Sequence, residues 1–392
     1  MPTHQRMTTM KRTVLFAALL LAAGAARAQP AAATQAEQET PAPLPLTQNG
    51  GRWDSGHVQG IAVDVAGGYI YYSFTDLLAR YDFHGNLVGT LVGWTGHLGD
   101  LDFNPETGKV YGSLEYKKDE AFYIAVLDVD RIDRVGIEAS ESDILRTVYL
   151  PEVTADYIAD MDGDNVFDGN FANTPDHRYG CSGIDGVGFG PAFGSTDGPQ
   201  YLTVAYGVYS NPERSDNDHQ VLLQYDVSDW DQYARPLVES APHRSGPDTV
   251  EGKYFVYTGN TTYGVQNVSY DPSQQRWFMG VYQGVKPTFP NYLLFAVEGD
   301  TQPVPGDLVG VPGEDGKWEQ GMLLTLANDG LIDEKTGIRG WQQKGDVGMQ
   351  PVGGGLFYLS VNSAGEVWQS ADLTLMRWTG DPMKPFVAVA EQ

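Results

Sequence analysis

The sequence repeats a group of short β-rich runs, and this repetition constrains the fold more than any other feature. The first run of the group recurs five times, at 59–64, 99–104, 185–190, 266–271 and 350–355. A second run follows each copy, as in YIYYSF at 69–74, and a third run ends near an acid or a tryptophan. A fourth run is clearest as LVGTLV at 87–92. No long stretch has helical periodicity.

Groups of four short strands that recur along a chain are typical of a β-propeller, in which each group forms one blade of a ring. We therefore predict an all-β fold, a β-propeller with five blades visible and up to seven possible. The first two copies begin 40 residues apart, a normal blade length, whereas the later spacings exceed 80 residues. The wide spacings predict insertions around 132–180 and 230–262 or further, degenerate blades. A β-sandwich or a β-helix is the alternative.

The N-terminal segment 1–28 has the features of a secretory signal peptide. Two basic residues precede the apolar run TVLFAALLLAAG, and a small-x-small cleavage pattern follows at 26–28. The run is too short to span a bilayer. Residues 29–50 begin with a Pro-, Ala- and Gln-rich stretch and predict a disordered linker. A single propeller domain over 51–392 remains, and we expect a secreted or periplasmic protein.

The chain is strongly acidic, with 25 Lys and Arg against 51 Asp and Glu and a formal net charge of −26. A surface of this sign repels nucleic acid and anionic membranes and attracts divalent cations. We expect neither nucleic acid nor membrane as a partner, and we expect a monomer. Cys181 is the single cysteine, so stability must come from core burial rather than from an internal disulfide.

Two histidines occupy the same repeat position just before predicted inner strands. In a propeller these positions lie at one mouth of the central channel, where ligands usually bind. The ring at this position consists of His57, His97, Gly183, Gly264 and Gly348. Two residues later, the ring consists of Gln59, Gly99, Asp185, Gln266 and Gln350. Because the chain has only 7 His, the shared register favours a functional pair over two unrelated loop caps.

Three longer segments, 176–186, 206–220 and 258–267, lead to the same predicted mouth. They concentrate Arg, Tyr, His and Asn, which suit an anionic, hydroxyl-rich ligand because Arg binds carboxylates with two parallel bonds. For the tyrosines, ordinary packing between blades is an equally open interpretation. The candidate substrate-binding residues are His177, Tyr179, His219, Asn260 and Gln266.

The stretch ADMDGDNVFDGNF at 159–171 concentrates four carboxylates around a glycine. Asp160, Asp162, Asp164 and Asp168 supply oxygens at positions 1, 3, 5 and 9, a spacing that suits Ca²⁺. The glycine position differs from that of an EF-hand, and the pattern resembles the calcium loops of extracellular β-propeller repeats. We predict a structural Ca²⁺ at these four residues; a solvated loop without a cation is the alternative.

Several segments together resemble a known family. HVQGI at 57–61, VYGSLEY at 110–116, HRYGCSGIDG at 177–186 and TGNTTYGVQN at 258–267 are similar to segments of secreted propeller polysaccharide lyases that cleave rhamnosyl-glucuronate. The resemblance implies a seven-bladed propeller with calcium in the channel and His, Tyr and Arg at the active site. The five visible repeats depart from that number of blades.

The side chains gathered at the predicted mouth suit β-elimination beside a uronic acid. A cation neutralises the carboxylate, a base removes the C5 proton, and an acid protonates the leaving oxygen. We predict His57 and His97 as acid and base, Arg178 or Arg214 as the carboxylate clamp, and Tyr116 or Tyr263 as the second proton carrier.

The predicted function is therefore that of a secreted polysaccharide lyase, a carbon–oxygen lyase acting on a carbohydrate substrate next to a uronic acid. One alternative is a non-catalytic propeller that binds glycans or the cell envelope. A second alternative is a calcium-dependent lactonase or phosphatase propeller, which would hold its metal in the channel through acids on several inner strands.

Overall fold

The computed structural model describes residues 43–390. Five β-sheets form the blades of a ring, and each innermost strand packs against the innermost strands of the two neighbouring blades. The predicted propeller is confirmed, with five blades. The predicted signal peptide at 1–28 and most of the predicted linker lie outside the described residues.

The first two blades contain the repeats with the shortest spacing. The chain enters the fold through β1 (Thr47–Trp53). Blade 1 consists of β2 (Gly60–Asp64), β3 (Tyr69–Phe74), β4 (Leu77–Asp82) and β5 (Leu87–Val92). Blade 2 consists of β6 (His97–Asn104), β7 (Lys109–Tyr116), β8 (Ala121–Leu127) and β10 (Leu145–Tyr149). Two short strands extend the outer edges, β9 (Ile137–Glu138) on blade 1 and β14 (Arg235–Pro236) on blade 2.

The other three blades carry longer connections. Blade 3 consists of β11 (Cys181–Gly190), β12 (Tyr201–Val208), β13 (His219–Tyr225) and β15 (Gly252–Tyr257), extended by β20 (Trp318–Leu324) and β19 (Val304–Pro312). Blade 4 consists of β16 (Thr262–Asp271), β17 (Arg276–Tyr282) and β18 (Leu294–Glu298), with the small pair β21 (Leu331–Ile332) and β22 (Arg339–Gly340). Blade 5 consists of β23 (Met349–Gly353), β24 (Leu356–Ala364), β25 (Gln369–Trp378), β26 (Phe386–Ala388) and β1.

Helices are short in the described part of the chain. The single α-helix there is α1 (Pro151–Tyr157), which begins with proline at its first turn, where no backbone N–H is needed. The 3₁₀ turns are Lys117–Asp119, Val129–Arg131, Ala139–Glu141, Arg178–Gly180, Trp230–Gln232 and Glu314–Gly316. No helix of residues 43–390 is long and apolar enough to cross a membrane.

The wide repeat spacings contain late blade strands rather than additional blades. The predicted insertion at 132–180 holds β10, which is the fourth strand of blade 2, together with α1 and the acidic loop. The predicted insertion at 230–262 holds β15, which is the fourth strand of blade 3. The possibility of six or seven blades is therefore wrong for residues 43–390, and so is the seven-bladed fold that the family resemblance implies.

The ring is closed by strands from the two ends of the propeller. β1 pairs antiparallel with β25, and Asn49 lies opposite Asp372 in this ladder. β1 begins at Thr47, inside the segment predicted as linker. Its sequence, TQNGGRW, is too polar to read as a strand, and the side chain of Asn49 donates to Ser370 and Asp372, more than 300 positions away.

The hydrophobic core is divided among the five interfaces between neighbouring blades. Each of the five buried apolar clusters joins strands of two adjacent blades, and the cluster between blades 1 and 5 completes the circle. Tyr72 and Tyr358 are fully buried in that last cluster. Ring closure is thus stabilised by apolar burial as well as by the β1–β25 ladder.

Buried acids connect the inner strands across the channel. Oδ2 of Asp100 accepts the backbone N–H groups of Val187, 3.0 Å away in blade 3, and of Val268, 3.2 Å away in blade 4. Asp102 accepts the backbone N–H of Phe189 at 2.6 Å and the side-chain amide of Gln350 at 3.0 Å. These bonds satisfy backbone groups that face the channel and fix the positions of the inner strands below the mouth.

Candidate functional site

A cavity of about 650 Å³ lies at the mouth of the channel predicted from the repeat alignment. Residues that begin inner strands and residues that end second strands both form its wall. The predicted site residues in this wall are His57, His97, Tyr116, Asp185, Tyr263, Gln59 and Gln266. The wall also contains Glu115, Lys117, Lys118, Asn170 and Tyr282, which the sequence interpretation did not place in the site. We call this cavity the first lobe.

The hairpin of blade 2 explains how Glu115 and Lys117 reach the first lobe. In this antiparallel pair, His97 at the start of β6 lies directly opposite Glu115 near the end of β7. The same geometry in blade 4 places Tyr282, at the end of β17, opposite Thr262 at the start of β16. An antiparallel second strand therefore returns to the mouth at which the first strand began.

His97 lies between two carboxylates. Its Nδ1 is 3.8 Å from Oε1 of Glu115 and 3.8 Å from Oδ1 of Asp185, which is too long for a hydrogen bond in either case. Within the described residues, Nδ1 is buried and has no hydrogen-bond partner. One third of the side-chain surface remains accessible from the lobe. The ring is thus held next to two acids and open to a ligand.

Lys117 supplies the positive charge in this cluster. Its Nζ is 3.0 Å from Oε1 of Glu115, and its side chain is 28% exposed. Burial opposes its charge, but the neighbouring carboxylates of Glu115 and Asp185 outweigh burial and raise the pKa of Lys117. The ammonium therefore stays charged throughout the physiological pH range.

Burial shifts two further groups of the cluster, His97 and Asp185, toward their neutral forms. Desolvation lowers the pKa of His97, and Lys117 and His57 lower it further, against the opposing effect of Glu115. Desolvation also raises the pKa of Asp185 well above its usual range, and the nearby Glu115 charge adds to this effect. His97 is therefore a neutral imidazole at neutral pH, as a general base requires.

His57 has a different environment. Its Nδ1 is 2.8 Å from the carbonyl oxygen of Val58, so this nitrogen carries the proton and donates it. Its Nε2 lies 3.2 Å from the side-chain amide nitrogen of Gln59, which donates to it. Both ring nitrogens of His57 therefore have partners, whereas Nδ1 of His97 has none within residues 43–390. Because Nε2 of His57 already accepts a hydrogen bond, His57 is less free to take a proton from a ligand than His97, whose ring is partly exposed to the lobe.

Backbone conformation and lack of space explain why three positions of the histidine ring are glycines. Gly183, Gly264 and Gly348 have φ values of +114°, +70° and +128°, which disfavour other residues. A Cβ on Gly183 would also lie only 2.0 Å from Oε2 of Glu115. Gly183 thus allows the bulged strand β11 to pass close to Glu115, and Gly264 allows the bulged strand β16 to pass close to the backbone of β12.

Tyrosines form part of the wall of the first lobe. Tyr263 has φ of +59° on the bulged strand β16, and this strained conformation leaves its side chain 47% exposed. Tyr282 is more enclosed, and burial raises the pKa of its phenol, so it keeps its proton at neutral pH. The hydroxyl of Tyr116 donates to Oε1 of Glu239 at 2.8 Å, which leaves it less suited to carry a proton to a ligand.

The two predicted arginine clamps lie outside the wall of the first lobe. Arg214 is 10% exposed, and its guanidinium donates to both oxygens of Asp216 at 2.8–2.9 Å. It also donates to the carbonyl oxygens of Thr174 and His177. Arg178 is partly exposed and lies 3.7 Å from a carboxylate oxygen of Glu319. In this geometry Arg214 cross-links loops, whereas Lys117 and Lys118 are the cations in the wall of the first lobe.

Of the predicted substrate-binding residues, one lies in the wall of the first lobe and the others are buried outside it. Gln266 lies in the lobe and donates to Oδ2 of Asp185 at 3.0 Å. His177 is fully buried, with its ring nitrogens 2.5 and 3.0 Å from the carbonyl oxygens of Tyr157 and Gly169. The other three candidates are also buried outside the wall of the lobe: Tyr179, His219 and Asn260. Their contacts are with protein, including Glu319, Phe255 and Val285 respectively.

The acidic loop is organised by its own backbone. Asp160 accepts the N–H groups of Gly163 and Asn165, at 2.6 and 2.7 Å, and Asp164 accepts that of Val166. The oxygens that lie within 4.8 Å of one another belong to Asp160, Asp162 and the buried Asp176. Asp176, which the sequence interpretation did not include, is thus a better-placed ligand for a cation than Asp164 or Asp168.

A second set of groups could hold a metal ion in the first lobe. Ligand atoms of His97, Glu115 and Asp185 lie within 4.8 Å of one another, and one nitrogen with two carboxylates suits several divalent metals. The ammonium of Lys117 next to Glu115 opposes this, because it already supplies positive charge to the same oxygens. The one cysteine, Cys181, is buried, and burial raises the pKa of its thiol, so a nucleophilic role is disfavoured.

Comparison with known proteins adds little to this geometry. No protein-family model and no curated protein matches the chain. Similar solved structures include hydrazine synthase from Kuenenia stuttgartiensis (12% identity, TM-score 0.34) and the Dos1 propeller (8%, 0.27). The PQQ domain of pyranose dehydrogenase from Coprinopsis cinerea is also similar (11%, 0.35).

These matches cover 82%, 80% and 80% of this chain and 64%, 78% and 81% of the respective structures. The chain therefore spans less than two thirds of the hydrazine synthase chain that it matches. At these identities and TM-scores the similarity carries no argument about function, and the five-bladed architecture rests on the strand pairing described above.

Proposed function

We propose that the protein is a carbohydrate-active lyase that cleaves a glycosidic bond next to a uronic acid by β-elimination. One arrangement carries the proposal: a single cavity combines a neutral imidazole, His97, a charged ammonium, Lys117, and the phenols of Tyr263 and Tyr282. Elimination beside a carboxylate needs these three kinds of group. Lys117 takes the clamp role that the sequence interpretation gave to Arg178 or Arg214.

In the proposed reaction, Lys117 binds the uronate carboxylate and makes the C5 proton more acidic. His97 takes that proton, the C–H electron pair forms a C4–C5 double bond, and the C4–O bond breaks. A phenol, of Tyr263 or Tyr282, protonates the departing oxygen. The carboxylate of Glu115, 3.8 Å from Nδ1, stabilises the imidazolium. Its proton then returns to the tyrosinate through solvent, which restores both groups.

The proposal also includes where the protein acts, which is outside the cell. The leader-like segment 1–28 supports export, and extracellular glycans that contain uronic acids are the corresponding substrates. The chain as a whole is acidic, with a net charge of −26, so Lys117 and Lys118 are the groups in the wall of the first lobe that can attract an anionic sugar.

The test is ultraviolet absorbance of the unsaturated uronate product, measured with a panel of uronate-containing glycans that includes gum arabic. We expect turnover with at least one of them, and a loss of about 10²-fold or more in kcat for His97→Ala. His84→Ala is the matched control, because His84 is exposed on a hairpin turn outside the cavity.

Two results would contradict the proposal. Folded wild-type protein that produces no unsaturated product from any glycan of the panel rules out the lyase reaction; if it still binds these glycans, the protein is a binding propeller. Full activity of a folded His97→Ala variant rules out His97 as the base.

A metal-dependent hydrolase is the second candidate, because His97, Glu115 and Asp185 are close enough to share a metal ion. Lys117→Ala separates the two candidates. It removes the carboxylate clamp of a lyase, so elimination should fall. In a metallohydrolase, it removes a competing positive charge, so binding of Ca²⁺, Mn²⁺ or Zn²⁺ measured by calorimetry should tighten. Lys335→Ala, on an exposed turn, is the control.

A further inference from the structure

A second cavity, of about 430 Å³, adjoins the first lobe at the mouth. The two cavities share His57 and Tyr282 in their walls, so they adjoin each other at these two residues. The second cavity, which we call the second lobe, is formed by the loop that leads to β23 and by the end of β24. It therefore extends the site from blades 1–4 to blade 5. Both volumes fall within the range of ordinary ligand pockets.

The second lobe has groups that suit a hydroxyl-rich ligand. Ser360 is 5% exposed, and its hydroxyl oxygen is buried without a hydrogen-bond partner within the described residues. An unpaired buried hydroxyl is costly, and a ligand hydroxyl would satisfy it. Asp346 is a buried carboxyl in the same wall. Sugar hydroxyls both donate and accept hydrogen bonds, so they can pair with Ser360 and with Asp346 in either protonation state.

The rim of the second lobe adds charge and apolar surface. Lys344 is exposed in the loop before β23 and lies close enough to Asp346 to influence its carboxyl electrostatically. Val361 is 60% exposed and lines the lobe, so it offers an apolar surface to the C–H face of a sugar ring. No other part of the proposed reaction uses these residues.

We propose that the second lobe is a sugar subsite that holds the residue on the other side of the scissile bond, so that the substrate is an oligosaccharide or polysaccharide occupying both lobes. Tyr282, which lies between the lobes, then protonates the oxygen released when the C4–O bond breaks. The inference rests on the proposed function in its assignment of Tyr282, whereas the subsite itself rests on the shape and chemistry of the second lobe.

Binding is measured first, with a catalytically silent His97→Ala protein, by calorimetry. The probes are glucuronic acid and glucuronate-containing oligosaccharides of increasing length from a partial hydrolysate of gum arabic. We expect affinity to rise about tenfold from the monosaccharide to the longer probes, which corresponds to roughly two added hydrogen bonds. Adding Val361→Trp, which fills the second lobe, should remove that rise. Val309→Trp, at another half-exposed valine, is the control because Val309 lies in β19 of blade 3.

Turnover then tests the role of Tyr282. Tyr282→Phe should lower kcat on a long glycan at least about 10²-fold with little change in KM, and Tyr263→Phe should lower it less. The subsite is overturned if the affinity does not depend on the length of the oligosaccharide, or if it still rises with length in the Val361→Trp protein. Either result counts against the subsite even when elimination is observed. If Val361→Trp abolishes the rise in affinity but the wild-type protein has no lyase activity, the subsite is supported and the proposed function fails. Equal activity of Tyr282→Phe and wild type overturns the assignment of Tyr282.

Discussion

At the scale of single residues, the environment of a side chain decides its role more than its type does. Both His57 and His97 line the mouth, yet the nitrogens of His57 have protein partners and Nδ1 of His97 has none within the described residues. The repeat alignment could predict that the two histidines share a position. It could not predict this difference, because the partners are a backbone carbonyl and side chains brought in by folding.

Arg214 allows a direct test of the clamp that the sequence predicts. Its guanidinium is bound by Asp216 and by loop carbonyl oxygens, so Arg214→Ala would leave a buried carboxylate without its partner. We expect a loss of about 3–5 kcal/mol in the free energy of unfolding, measured by urea denaturation. A carboxylate clamp predicts the reverse pattern, an increased KM for glycans with unchanged stability, and that result would contradict the cross-linking role.

Asp102 predicts a pH dependence of stability. Desolvation in the channel raises the pKa of its carboxyl to about 6, against the opposing effect of its hydrogen bonds. The folded protein therefore holds this proton at pH values at which the unfolded chain has released it. The stability contributed by Asp102 is fully present below about pH 4 and is lost as the pH rises through about 6.

The measurement compares the free energy of unfolding of wild type and Asp102→Asn between pH 4 and pH 7. Because asparagine does not titrate, the difference between the two proteins isolates the carboxyl. Wild type should lose about 2–3 kcal/mol relative to the variant over this range. A difference that is constant with pH, or one that grows in favour of wild type, would show that the carboxyl is not buried as described.

At the scale of elements, the acidic loop remains a predicted Ca²⁺ site. We propose Asp160, Asp162 and Asp176 as its nearest ligands, because their oxygens already converge. Ca²⁺ should then raise the melting temperature of the protein, and Asp160→Asn should remove most of that increase. Asp300→Asn, an exposed acid elsewhere, is the control. If Ca²⁺ has the same small effect on all three proteins, the loop is a solvated turn.

The hairpins explain which part of the site was visible in the sequence. The alignment located all five inner strands, because each copy begins with the same pattern. It missed Glu115, Lys117 and Tyr282, because the repeat alignment compared positions before the inner strands and these residues lie at or after the ends of second strands. The turn at 105–108 sets the antiparallel register as far as Leu101, and a bulge between Leu98 and Leu101 then shifts it by one residue, which places Glu115 opposite His97. Counting back along each predicted hairpin would have located the ends of the second strands at the mouth, but not the exact pairings, because bulges shift the register in both hairpins.

At the scale of the whole molecule, the number of blades and the closure of the ring were the hardest features to predict. Late blade strands such as β10 and β15 lie after long connections, so repeat spacing alone suggested additional blades. β1 was hidden because its polar sequence lacks alternation and its partner, β25, lies near the other end of the chain. Local pattern cannot encode a pairing that depends on the circumference of the finished ring.

Because the β1–β25 ladder closes the ring, the same five-bladed architecture does not depend on which blade the chain begins with. The same circle could be cut at the exposed hairpin turn around Glu106 and Thr107, with residues 43 and 390 joined by a flexible linker. Blade 5 would then be built from neighbouring segments, and the β6–β7 ladder of blade 2 would become the ladder that joins the two ends of the chain. In such a circular permutant, blade 5 would assemble as a local unit, whereas blade 2 would bear the entropic cost of uniting the new ends.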